Sequence, residues 1–183
     1  MKTMAQRGQW ILVLVIIAVL GTALVVGAAL TPTLGAVAVG RDAPAFRGLD
    51  IATGDSVGLD SYAGDVVLLN VWATWCIPCE AEMPSIQRLY EELGPLGFQV
   101  VAISVDESGP ERVKEWIDER EFTFEVLHDQ SGQIERTYQT IGVPETFIID
   151  RQGVIVKKVI GATEWDHPTQ TTLLRELLSQ PEH

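Results

Sequence analysis

Seven consecutive residues, Val66-Val67-Leu68-Leu69-Asn70-Val71-Trp72, form a nearly unbroken apolar and β-branched run. Such a run fits a strand covered on both faces better than one with a wet side. After three intervening residues stands Cys76-Ile77-Pro78-Cys79, which contains the only two cysteines of the chain. Beyond it, Met83, Ile86, Leu89, Tyr90 and Leu93 recur at helical spacing, predicting a helix over residues 81–93 that stops at Gly94, Pro95 and Gly97. The cysteines therefore fall where a buried central strand turns into a helix.

The neighbouring segments supply the rest of an α/β fold. Phe46–Ile51 and Ser56–Leu59, joined by Ala52-Thr53-Gly54-Asp55, read as a small hairpin. A second buried strand is predicted at Phe98–Val105, a helix at Pro110–Arg120 with Val113, Trp116 and Ile117 inward, an extended segment at Phe122–Leu127 and a helix at Gln133–Tyr138. Thr146–Asp150 and Val154–Ile160 flank Arg151-Gln152-Gly153 as an antiparallel hairpin, and a last helix covers Thr169–Leu178. Strands that alternate with helices and end in a hairpin and helix imply an α/β sandwich around a central mixed β-sheet, with an N-terminal β-hairpin and a central α/β insertion.

The 183-residue chain opens differently. Residues 10–30 contain no charged side chain, and at about 1.5 Å per residue they are long enough to cross a bilayer core of about 30 Å. Lys2 and Arg7 precede this stretch, which predicts a cytoplasmic N-terminus at residues 1–9, a signal anchor at 10–30, a linker at 31–40 and an extracytoplasmic domain from residue 41 to 183. Ala36-Val37-Ala38 resembles a signal-peptide cleavage site, but the apolar stretch exceeds a typical signal core, which favours an uncleaved anchor. Lys2 and Arg7 are two of the 13 basic residues, and all 25 acidic residues follow them, so the remainder carries −14 of a total of −12. That balance argues against nucleic acid as a partner.

A bridge between cysteines two residues apart closes too small a loop to stabilise much by chain entropy, so redox exchange explains the spacing better than structural stapling. In a strand-to-helix turn Cys76 lies at or just before the helix N-terminus, where unpaired backbone N–H groups and the helix dipole favour a thiolate, and it is assigned as attacker. Cys79, one step into the first turn, is assigned as resolver. A closed zinc site needs more ligands than this pair provides, and His128, His167 and His183 show no paired spacing. No metal and no cofactor is expected.

The sequence resembles the thioredoxin superfamily, and within it the membrane-anchored ResA, TlpA and CcmG proteins. The likeness is carried by Asn70-Val71-Trp72-Ala73-Thr74-Trp75-Cys76-Ile77-Pro78-Cys79, by Glu82-Met83-Pro84, and by Gly142-Val143-Pro144-Glu145-Thr146-Phe147-Ile148-Ile149-Asp150. It implies a cis-proline at Pro144 beside the cysteines, with Val143 offering its main chain to an extended substrate. Asn70 replaces the buried aspartate of ordinary thioredoxins, and Glu82 then becomes the candidate to relay a proton, against a capping or exposed carboxylate as the alternative. Trp75 is expected on the substrate surface, Trp72 in the core, and Glu145 as a relay, a peptide contact or a surface residue.

The resemblance implies reduction of disulfides in extracytoplasmic proteins, apocytochrome c among them, with a membrane thiol donor regenerating the dithiol and the N-terminal anchor holding the protein on the cytoplasmic membrane. The alternatives are a general disulfide oxidase or isomerase, a peroxiredoxin-like peroxidase suggested by Gly40-Arg41-Asp42-Ala43-Pro44-Ala45-Phe46, and a Sco-type copper chaperone using His128.

Overall fold

The computed structural model describes residues 10–22 and 37–180. The chain divides into two units, Met1–Gly35 and Ala36–His183. In the first, residues 10–22 form helix α1, exposed along its whole length. Among the described residues no helix is long and apolar enough to cross a membrane. The segment read as an anchor runs on through residues 23–30, which lie outside the described residues.

The second unit is built on β3 (Val66–Trp72), every residue of which is buried. It pairs in parallel with β4 (Phe98–Ser104) and antiparallel with β6 (Glu145–Ile149), so both of its edges are satisfied inside the sheet. Around these lie β1 (Arg47–Asp50), β2 (Ser56–Gly58), β5 (Glu125–His128) and β7 (Ile155–Ile160). The mixed seven-stranded sheet has the order β2-β1-β5-β4-β3-β6-β7. The expected α/β sandwich with a thioredoxin-like mixed sheet is what forms.

Alternation along β3 sends its side chains to two cores. Val66, Leu68 and Trp72 join Met83, Ile86, Leu89 and Leu93 of α2 (Ile77–Leu93), while Val67, Leu69 and Val71 join Phe147, Tyr138 and Ile134 on the other face. Asn70 shares the parity of Leu68 and Trp72 and so lies on the α2 side. Helices α3 (Pro110–Asp118) and α5 (Pro168–Leu178) add Val113, Trp116, Leu174 and Leu177 to the same core as α2, and α4 (Gln133–Thr137) adds Ile134 to the opposite one. Gly97 lies between α2 and β4 at a φ of 88°, a left-handed turn that a side chain would strain.

Three boundaries differ from expectation for physical reasons. Helix α2 begins at Ile77 rather than Ala81: its first turn presents Ile77 to solvent at 80 % exposure and sends only Cys79 inward, so the run of large apolar residues starts later. The extended segment expected at Phe122–Leu127 pairs only from Glu125. Phe122 and Phe124 instead stack on each other at 5.4 Å, and Phe122 packs on Trp116 at 6.2 Å. The folded unit also starts before Arg41: Val37 is buried in the second core, and the Gly40 N–H donates to the Ile155 carbonyl at 2.8 Å.

Leu68 is fully buried between β3 and α2. Leu68→Ala is expected to lower unfolding free energy by about 2–5 kcal/mol, measured as a shift of the urea midpoint at unchanged slope.

Candidate active site

The C-terminal end of β3 delivers the chain into the site through Ala73-Thr74-Trp75. Asp106, just past the end of β4 and only 2 % exposed, fastens this loop. Its carboxylate accepts the Thr74 N–H at 3.0 Å, the Thr74 hydroxyl at 2.5 Å and the Ser104 hydroxyl at 2.7 Å. The Val105 N–H donates to the Trp72 carbonyl at 3.0 Å, tying the same two strand ends together.

From this loop the chain enters α2 with Cys76 as its N-cap. The Cys79 N–H donates to the Cys76 sulfur at 3.2 Å, and Pro78 occupies the first turn, where a missing N–H costs nothing. Cys76 and Cys79 are joined in a disulfide with their Cα atoms 5.2 Å apart. Cys79 is completely buried and Cys76 nearly so, whereas Trp75 and Ile77 on either side of Cys76 are 67 % and 80 % exposed. The backbone N–H that holds the Cys76 sulfur, together with the helix N-terminus, stabilises negative charge there after reduction.

The Val143–Pro144 bond is cis, and Val143 packs against the core cluster that contains both cysteines. The ladder of β6 starts only at Glu145, so the Val143 main chain stands outside the sheet pairing. A cleft of about 600 Å³ lies alongside, lined by Thr74, Trp75, Asp106, Arg112, Gly142 and Val143. It has room for an extended segment beside Trp75 and Val143.

Glu82 is 3 % exposed, which rules out the exposed or capping carboxylate. It accepts three hydrogen bonds: from Asn70 Nδ2 at 2.8 Å, the Thr163 N–H at 3.0 Å and the Trp165 indole N–H at 3.3 Å. Burial pushes its carboxyl above the usual carboxylate range, and these three donors oppose that rise without cancelling it. One helical turn separates Glu82 from Cys79 on α2.

Glu145 is corrected more sharply. Its side chain is fully buried, paired with Lys158 Nζ at 2.6 Å and accepting the Ile141 N–H at 3.1 Å, so it is neither a surface residue nor a side-chain contact for substrate. The carboxylate lies inside because β6 is a two-sided buried strand and Lys158 of the adjacent β7 reaches it. Asp106, Thr146, Thr163 and Trp165 were not singled out from sequence. An acid just after the second buried strand could have pointed to Asp106, because ligand sites in such sheets gather beyond the carboxyl ends of the strands. Nothing local points to Thr163 or Trp165, which are about 80 residues from Glu82 in sequence.

A cysteine pair at a helix N-terminus, a cis-proline loop beside it and a buried acid on the same helix define a thiol–disulfide oxidoreductase of thioredoxin-like fold. The chain belongs to the AhpC/TSA family, whose profile matches residues 39–158. It is similar to the thiol-disulfide oxidoreductase ResA of Oceanobacillus iheyensis, 41 % identical over 132 residues that cover 70 % of this chain and 68 % of that protein. The ResA of Bacillus thuringiensis subsp. konkukian is 35 % identical over 123 residues, covering 67 % of this chain and 70 % of its own. A Chlorobium tepidum protein assigned as the thiol:disulfide interchange protein DsbE superposes with a TM-score of 0.71 at 29 % identity, over 78 % of this chain and 99 % of the other.

The burial of Glu82 generates a stability prediction. Its native pKa lies above the unfolded value of 4.5, so the native state holds the proton to higher pH and loses stability as pH rises through that interval. Glu82→Gln removes this loss. Its melting temperature is expected to exceed that of the wild type by about 2–4 °C at pH 8, with the difference closing near pH 4. A second prediction concerns the loop fastening: Asp106→Ala leaves the Thr74 N–H unpaired and is expected to cost about 1–3 kcal/mol by urea unfolding.

Proposed function

We propose that this protein reduces disulfides in polypeptides outside the cytoplasmic membrane, with apocytochrome c as a substrate during cytochrome c maturation. The observation that carries the reading is Cys76, placed as the N-cap of α2 with its sulfur held by the Cys79 N–H and already joined to Cys79. In the reduced enzyme, the Cys76 thiolate attacks one sulfur of a substrate disulfide and the other substrate sulfur leaves as a thiolate. Glu82 takes the thiol proton of Cys79. The Cys79 thiolate then attacks Cys76, releasing the second substrate sulfur and closing the Cys76–Cys79 bond. Two electrons pass from enzyme to substrate, and a membrane thiol donor restores the dithiol.

Trp75 and Val143 form the docking surface, and Pro144, itself buried, fixes the course of the chain beside them through its cis bond. Trp75 supplies exposed aromatic area, and Val143 lies beyond the end of the β6 ladder, where an extended segment can add its own main-chain bonds next to the sulfur.

The N-terminal segment supports the location. Residues 10–22 are helical, the uncharged stretch continues to residue 30, and the positive charges lie ahead of it at Lys2 and Arg7. Processing at Ala36-Val37-Ala38 would remove Val37 from the core, which favours retention of the segment as an anchor.

Cys79→Ser, expressed in the native cell, leaves the mixed disulfide on Cys76 unresolved. It is expected to trap cytochrome c precursors in the membrane fraction, detected by mass spectrometry after non-reducing purification. Recovery of secreted proteins at large would indicate a generalist reductase. Rapid turnover of hydrogen peroxide by the purified dithiol would sink the reductase reading in favour of a peroxidase.

A further inference from the structure

Asn70 carries an unbalanced set of bonds. It is fully buried in β3, and its Nδ2 donates to Glu82 Oε1 at 2.8 Å and to Thr146 Oγ1 at 2.8 Å. Its Oδ1 is also buried and has no hydrogen-bond partner. Leaving a carbonyl unpaired in a dry interior is unfavourable, and turning the amide over would pair Oδ1 only where the groups now facing Nδ2 can donate to it.

The charge of Glu82 forbids that turn. An ionised carboxylate only accepts, so an Asn70 oxygen facing Oε1 would set two acceptors against each other. Protonation of Glu82 reverses the demand. The Thr163 N–H and the Trp165 indole both donate to Oε2, so Oε2 remains the acceptor and the new proton belongs on Oε1. That O–H then faces Nδ2, a second donor, and needs an oxygen in its place.

We propose that Asn70 is the positioning residue that lets Glu82 hold either protonation state, its amide presenting Nδ2 to the carboxylate and turning by about 180° to present Oδ1 to the carboxylic acid. The proposal rests on Glu82 being the acceptor of the Cys79 proton. The Cys79 S–H bond breaks, the Glu82 O–H bond forms, and the amide turns as the proton arrives. The thiolate's electron pair forms the bond to Cys76, and the substrate sulfur leaves with the pair of the broken disulfide. The backbone does not need to move, because Asn70 and Thr146 are paired across β3 and β6 and the Thr146 hydroxyl can donate as well as accept. An aspartate at residue 70 could not do this, since it offers no donor to an ionised Glu82.

The test is side-chain NMR of the reduced full chain in detergent micelles. Across the titration of the Glu82 carboxyl carbon, the Asn70 amide protons are expected to lose their contacts to the Thr146 side chain and to change shift with the same midpoint. Glu82→Gln is expected to show the turned amide at every pH. Asn70→Leu removes both donor and acceptor, and is expected to slow resolution of a mixed disulfide by about tenfold and to displace its pH profile. Amide contacts that stay constant through the Glu82 titration overturn the proposal, even if Glu82→Gln slows resolution. If Glu82→Gln leaves the resolution rate and its pH profile unchanged, the proton relay itself fails and the amide has no catalytic task.

Discussion

A strand buried on both faces removes water from every polar group it carries, and β3 imposes that condition on Asn70. The amide must find partners inside the protein, and it finds Glu82 on α2 and Thr146 on β6. Glu82 in turn is drawn into the core between strand and helix, where burial raises its proton affinity and draws in Thr163 and Trp165 from the far end of the chain. Trp165 is anchored as well by its own N–H to the Ser85 hydroxyl at 3.0 Å. The dryness of the central strand thus organises a polar network that closes the loop after β7 over α2. The same dryness makes the protonation state of Glu82 matter, since solvent cannot screen it.

The redox pair depends on the other end of that strand. Asp106 and the Val105 N–H hold the turn from β3 to α2, and α2 begins at once, so the Cys76 sulfur lies against the exposed N–H groups of the first helical turn. Cys79 is buried and Cys76 nearly so, while Trp75 and Ile77 on either side of Cys76 are exposed. Glu80 pairs with Arg120 at 2.8 Å, and that guanidinium lies 3.8 Å from the Trp116 ring centroid, with Trp116 itself 5.0 Å from Trp72. Helix α3 therefore braces the first turn of α2 from behind through an aromatic core rather than through the site itself.

Much of this was legible where the signal is local. The run Val66–Trp72 announced a two-sided strand because β-branched and apolar residues on both parities leave no wet face, and the cysteine spacing at its exit announced a redox pair. The cis bond at Pro144 was legible only by resemblance, since a sequence does not distinguish the two isomers. The exposed readings of Glu145 failed because a charged residue beside a site motif resembles a surface contact, and its burial depends on Lys158, which lies on another strand. The first turn of α2 and the start of β5 were misplaced because Ile77 faces solvent and because Phe124 stacks on Phe122 and Phe122 packs on Trp116 instead of entering the sheet.

By itself, the sequence determined the order of strands and helices, the two-sided burial of β3 and the placement of both cysteines at a helix start, because each follows from periodicity or from the backbone within a few residues. The tertiary structure alone decided the environment of Glu82. Asn70, Thr163 and Trp165 lie 12 or more residues away from it, and their donors converge on it only when β3 and the loop after β7 pack on α2, while Thr146 of β6 accepts the second Asn70 N–H. Desolvation and hydrogen bonding depend on that convergence in space, so whether Glu82 is a solvated surface charge or a buried, hydrogen-bonded carboxyl was settled by packing.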